Sequence, residues 1–158
     1  MIVYRLGKQK FIEDLTGSGA YMNGGRWNNK GVYMLYTSES KALAMAELSV
    51  HLPLGIVPKD YSIIKIDIPD DKILELDMKL LDHIDWKTLP HGPETQAIGD
   101  QFILDNTHLA LKVPSVVVEG DFNYILNPHF PDYNKLVAII DKGPFPFDQR
   151  IFVRPNTN

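Results

Sequence analysis

Short β-prone runs outnumber helical stretches in this chain, and the two kinds do not alternate along it. A doubly wound parallel sheet needs a crossover helix between successive strands, so this order argues against one and predicts a mixed α+β domain. Strands are expected at residues 2–6, 32–37, 61–68, 73–76, 109–113, 115–119, 136–141 and 150–154, and residues 123–128 read as a strand entering a turn. One helix should start at Ser38 or Ser40 and run to about His51, where Pro53 and Gly55 end it. Its stripe is Ala42, Met45, Ala46 and Val50, widened by Leu43. A second helix is expected over residues 93–106, with Pro93 in its first turn and an interruption at Gly99. Residues 16–31 carry five glycines and three asparagines, a composition that suits turns and close backbone approach.

The chain has 158 residues and no linker-like or repetitive stretch, which gives one domain over residues 1–158 with room for a sizeable core. It contains no cysteine, so a disulfide framework, a thiolate nucleophile and Cys-type zinc sites are excluded. Neither a signal peptide nor a membrane-spanning run is legible, and a soluble cytoplasmic protein is expected. The net charge of −4 argues against a surface that holds duplex nucleic acid. Only four cations are arginines (Arg5, Arg26, Arg150 and Arg154), so a guanidinium fork has few sources. The five histidines show no ligand spacing, and no metal site is expected.

Gly-Lys-Ser, Gly-Lys-Thr and the three-glycine dinucleotide fingerprint are all missing, which removes the support for P-loop or Rossmann chemistry. Gly24-Gly25-Arg26-Trp27-Asn28 is the more informative segment. Two glycines bare the backbone before an arginine, so it reads as an anion site or as a turn with a solvated arginine beside a core tryptophan. Glu47 is the one charge between Ala42 and Val50; on that helix face it is paired, protonated or turned to a cleft, or else it reaches water at the helix edge. Tyr33 and Tyr36 fall on opposite faces of the expected strand, so one can face a cleft while the other packs. Ser115 stands at the start of an expected strand, and without a Gly-x-Ser-x-Gly elbow a serine hydrolase is disfavoured.

Taken in order, Gly-Gly-Arg26-Trp-Asn, Val-Tyr-Met-Leu-Tyr36-Thr-Ser-Glu-Ser, Ala-Met-Ala-Glu47-Leu, Val-Pro-Ser115-Val-Val-Val and Asn123-Tyr-Ile-Leu-Asn-Pro-His resemble the RES-domain toxins. Tyr4-Arg5-Leu6 and Pro-Phe-Asp148-Gln-Arg150 match in style at the two ends, so the resemblance spans the chain. It implies an ADP-ribosyltransferase-like fold, with two packed β-sheets and surrounding helices about an NAD-binding cleft. It also implies the toxin half of a type II toxin–antitoxin pair, whose partner is a helix-turn-helix antitoxin of the Xre type. A homodimer within that complex is compatible with it. NAD enters as substrate, and no separate cofactor is implied.

On this resemblance Glu47, Arg26, Tyr36 and Ser115 are the expected catalytic set, and Arg5, Arg26, Tyr36, Ser115 and Asn123 the expected NAD-binding set. The implied reaction breaks the nicotinamide–ribose bond, with Glu47 stabilising an oxocarbenium-like sugar and the arginines binding the pyrophosphate. Tyr36 would stack on nicotinamide or ribose, and Ser115 would bind the nicotinamide amide or order the site. Three other readings stand beside it: ADP-ribosyl transfer to a cellular acceptor, a non-enzymatic nucleotide-binding or interaction domain, and a ribonuclease toxin. The last is disfavoured by the acidic balance and the lack of a basic aromatic strip.

Overall fold

The computed structural model describes residues 1–153. Its strands are β1 (Ile2–Lys8), β2 (Leu35–Ser38), β3 (Tyr61–Asp67), β4 (Ile73–Glu75), β5 (Ala110–Pro114), β6 (Phe122–Leu126) and β7 (Ala138–Pro144). The helices are α1 (Ser18–Asn23), α2 (Lys41–Ser49), α3 (Pro93–Asp105) and α4 (Tyr133–Leu136). This is the mixed α and β class that the strand-rich, non-alternating order predicts. Neither α2 nor α3, nor any other described helix, is long and apolar enough to cross a membrane.

All seven strands join one sheet in the order β4-β5-β6-β2-β1-β3-β7, and only β4 and β5 run parallel. Where two packed sheets are expected, the structure has two halves of a continuous sheet. Full ladders hold each half together, whereas β1 meets β2 in the single register pair Tyr4↔Ser38. Strand alternation explains the core. In β3, Ile64 and Ile66 point one way and join Val3 of β1, Leu35 of β2, and Tyr124 and Leu126 of β6 in one buried cluster shared by both halves. Leu111, Val113 and Ile125 point to the opposite face, where they pack with Phe102 of α3 and with Trp27.

Several local expectations change, each for a physical reason. Helix α1 occupies the segment read as irregular. Gly17 enters it at φ +76°, and Tyr21 stacks on Tyr33 at 4.3 Å between ring centroids, so tertiary packing overrides a turn-like composition. Strand β2 begins only at Leu35, which leaves Tyr33 off the strand, against Tyr21 and His129. Residues 115–119 are not a strand despite three valines. β5 stops at Pro114, and the Ser115 hydroxyl instead accepts the Val117 and Val118 amides at 3.1 and 3.0 Å. Helix α2 is capped by Ser40, whose side chain accepts from Leu43 N–H, but it buries Leu43 and Ala44 while Ala42 and Val50 are exposed. The expected strand at 150–154 is a short 3₁₀ turn, Gln149–Ile151, with Arg150 paired to Asp148 at 2.6 Å; Arg154 lies outside the described residues.

Candidate active site

Helix α2, the ends of β2, β5 and β6, and the glycine turn surround a cleft of about 870 Å³. That volume is in the range that encloses a small-molecule ligand. Arg5, Arg26, Tyr36, Glu47 and Asn123 all line it. Ser115 is buried behind the wall, beside a second cavity of about 200 Å³. The six residues singled out from the sequence therefore meet in one region, although strand register and a crossover separate them along the chain.

Glu47 lies four residues after Leu43 and three after Ala44, so the helix that buries those two side chains aims its carboxylate at the end of β6. There Oε1 accepts two hydrogen bonds, from Ser115 Oγ at 2.7 Å and from Asn123 Nδ2 at 2.5 Å. Asn123 is itself oriented, because its Oδ1 accepts from Ser38 Oγ at 2.7 Å. Reversing that amide would set its oxygen against a carboxylate, so Ser38, Asn123 and Ser115 act as one frame around Oε1. Among the described residues Oε2 takes no protein hydrogen bond, leaving it for a ligand in the cleft the residue lines. Of the four states open to this carboxylate in the sequence, the structure shows hydrogen-bonded and cleft-facing. Ser115 gives its one hydroxyl hydrogen to Glu47, which supports ordering of the site over contact with nicotinamide.

Arg26 reaches the cleft through a tight turn. Gly25 N–H donates to Asn28 O at 2.9 Å, which puts Arg26 and Trp27 at the tip. Trp27 is buried in the core against α3, while Arg26 lines the cleft. Gly24 sits at φ +70°, and a Cβ on Gly25 would stand 2.6 Å from the Tyr36 hydroxyl, so the pair of glycines is a geometric requirement. Tyr36 holds the turn from the other side. Its hydroxyl accepts from Trp27 N–H at 3.0 Å and donates to Asn28 Oδ1 at 2.8 Å. Burial pushes this phenol well above its ordinary range, so it remains a donor at any physiological pH.

The guanidinium of Arg26 is partly engaged by the protein. Nη1 donates to Trp86 O at 2.5 Å and to Thr88 O at 3.2 Å, and Nη2 to Thr88 O at 3.3 Å, which ties the turn to the segment leading to the cleft-lining Leu89 and His91. Burial lowers its proton affinity, and the nearby Glu47 charge works the other way. Arg5 has a structural task that its sequence position does not reveal. Its Nη1 donates to the carbonyls of Phe11, Ile12 and Asp14, at 3.1, 2.5 and 2.9 Å, and so closes the turn after β1. Its Nε and Nη2 take no protein acceptor among the described residues.

Sequence reasoning missed the contribution of α3 and two histidines. Gln96 and Asp100 hydrogen-bond the backbone of the glycine turn. His51 and His91 line the cleft, and His91 is held below its usual range by burial, then by Arg26 and His51, which keeps it neutral near pH 7. The helical spacing of Gln96 and Asp100 was visible, but polar residues four apart read equally well as a solvated face.

Comparison with known proteins adds an independent line. A family model described as the RES domain matches residues 2–148. The chain is 34% identical over 152 residues to "Toxin Res" of Photorhabdus laumondii, covering 96% of this chain and 97% of that protein. It is also 34% identical over 128 residues to the "Prs ADP-ribosylating toxin" of a Sphingobium species, covering 80% of each. Among solved structures, the M. tuberculosis MbcT-MbcA toxin–antitoxin complex contains a chain that superposes with a TM-score of 0.66 at 18% identity, over 96% of this chain and 86% of that one. At that identity the likeness is one of fold.

Proposed function

We propose, from the premise that this chain belongs to the RES domain family, that it is a toxin acting on NAD by cleaving the bond between nicotinamide and ribose. The observation that carries this reading is the framed carboxylate: Glu47, fixed through Oε1 by Ser115 and Asn123, presents a second oxygen to a cleft that also holds Arg26. Relatives named as toxins, one of them as ADP-ribosylating, support the substrate class.

In this reaction the C–N bond breaks and its electron pair leaves with neutral nicotinamide, so the site needs no strong acid. The ribose is left with oxocarbenium character, and an anion held rigidly beside it lowers the barrier without reorganising. Glu47 supplies that charge, with Oε2 against the sugar or its hydroxyls. Arg26, with its Nε and the Nη2 hydrogen not given to Thr88, and the unengaged donors of Arg5 bind the phosphates by charge-assisted hydrogen bonds. The ring of Tyr36 forms part of the cleft wall. An acceptor oxygen then attacks the sugar carbon and releases its proton. The acceptor is water, phosphate or a cellular molecule. The name of the Sphingobium relative favours ADP-ribosyl transfer as the second reading.

As the toxin of a pair, the protein would be held inactive by an antitoxin, of the Xre helix-turn-helix type on the family resemblance. The test is to incubate the purified protein with NAD and follow nicotinamide by chromatography, with RNA in a parallel tube. Nicotinamide release without RNA cleavage is the expected result. Intact NAD would leave a binding domain, and RNA cleavage alone a ribonuclease.

A further inference from the structure

Helix α3 contributes no residue to the catalytic set, yet one of its faces is spent entirely on the glycine turn. Gln96 Nε2 donates to Gly25 O at 3.0 Å and to Asn28 O at 3.2 Å, the two carbonyls that bracket Arg26 and Trp27. One turn further on, the Asp100 carboxylate accepts from Asn29 N–H at 3.0 Å through Oδ1 and from Asn29 Nδ2 at 2.8 Å through Oδ2. Between them is Gly99, where an added Cβ would fall 1.7 Å from Trp27 O, so the turn lies directly on the helix backbone. Residues 96, 99 and 100 are one helical face by their i, i+3, i+4 spacing. We propose that Gln96, Gly99 and Asp100 are positioning residues that set where Arg26 stands in the cleft.

The bonds fit the task. Asn28 O already accepts from Gly25 N–H within the turn, whereas Gly25 O depends on Gln96 among the described residues. The Asp100 carboxylate meets Asn29 at both oxygens, which fixes the exit of the turn in angle as well as distance. Tyr36 grips the same turn from the β2 side. With its backbone clamped from both sides and its guanidinium tied to Trp86 O and Thr88 O, Arg26 has the preorganisation that a phosphate-binding guanidinium requires.

This inference rests on the proposed function only in its activity arm, and the two fail separately. Gln96→Glu keeps the side chain's size but has no N–H to give, and it faces two carbonyls with charge. Asp100→Asn exchanges the charged acceptor of the Asn29 N–H for a weaker neutral one and places donor against donor at Nδ2. Both variants are near-isosteric and are checked for parental thermal stability. The first readout is amide hydrogen exchange, which needs no substrate. The Asn29 amide should exchange about tenfold or more faster in Asp100→Asn, and in Gln96→Glu the turn should exchange faster than β5 and β6, which stay unchanged. The second readout is steady-state NAD cleavage. Because Arg26 holds phosphates in substrate and transition state alike, KM should rise about tenfold with kcat within about twofold, whereas mere loss of folded protein lowers apparent kcat and leaves KM alone. Gly99→Ala, whose Cβ would meet Trp27 O, should push the turn off the helix, so thermal stability falls and KM rises in the fraction that stays folded. Unchanged exchange at residues 25–29, or parental KM in an active parental enzyme, overturns the inference. An inactive parental enzyme overturns the proposed function, and the exchange result then decides the role of α3 by itself.

Discussion

Replacing Asn123 by Asp would convert the frame around Glu47 into a proton trap. The side chain keeps its shape, and the Ser38 hydroxyl can still donate to it, but the oxygen that replaces Nδ2 would face Glu47 Oε1 at 2.5 Å. Two full charges at that separation repel by about 7 kcal/mol at an effective dielectric of about 20. Rotation of the side chains and water in the cleft reduce this to roughly 2–3 kcal/mol, or about two pH units. The pair therefore retains one proton well above the usual carboxylate range, as closely spaced carboxylates do. While that proton is held, the introduced carboxyl donates to Glu47 much as the asparagine does. Once it leaves, the two anions separate and the frame is lost. The pH–rate profile of Asn123→Asp should gain a descending limb, roughly between pH 5 and 8, that the parental enzyme lacks. Stability should follow with the same sign. The folded variant binds more protons than the unfolded chain, so its stability relative to the parent falls as pH rises through that window. Steady-state nicotinamide release from pH 4.5 to 9, with thermal melts at the same points, measures both. A profile parallel to that of the parent would refute the reasoning, because it would mean that Asn123 does not meet Glu47 in the working enzyme.

Other substitutions separate structural from chemical roles. Arg5→Ala should destabilise the fold by about 2–3 kcal/mol, because its charged Nη1 satisfies the carbonyls of Phe11, Ile12 and Asp14; denaturant unfolding measures it. Tyr36→Phe keeps the ring in the cleft wall but leaves Trp27 N–H and Asn28 Oδ1 without their partner, and should cost about 1–3 kcal/mol in stability by the same assay. Ser115→Ala removes one of two donors to Glu47 and the cap on Val117 and Val118, so turnover should fall about tenfold to a hundredfold in nicotinamide release with a smaller change in KM.

Elements marked by a sequence period or a terminal signal were legible in the sequence. Ile64, Ile66 and Ile68 recur at every second position, although β3 buries the consecutive Ser62, Ile63 and Ile64, and α3 begins with proline at its first turn and ends where Asn106 takes the left-handed conformation. Legibility failed where tertiary contact outweighs local preference. Val116, Val117 and Val118 have strong strand propensity, yet Pro114 ends the ladder and the Ser115 hydroxyl takes up two of their amides. Tyr21 forms a helix in a glycine-rich segment because Tyr33 is there to stack on. At the site, Glu47 stood out because a lone carboxylate on an apolar helix face demands partners, though periodicity could not say that Ser115 and Asn123 are those partners. Arg26 stood out by its glycines. The helix that holds its turn did not, because three of the four bonds that Gln96 and Asp100 make to the turn go to backbone atoms that any sequence would supply.

The central claim is that the charge on Glu47, and not its shape, drives cleavage of the nicotinamide bond. Glu47→Gln tests it directly, with NAD affinity and turnover measured on the same preparation. The account predicts NAD affinity within about threefold of the parent and turnover reduced about a hundredfold or more, the scale of losing one preorganised charge at a developing cation. Turnover at the parental rate, or a loss confined to affinity, would contradict it.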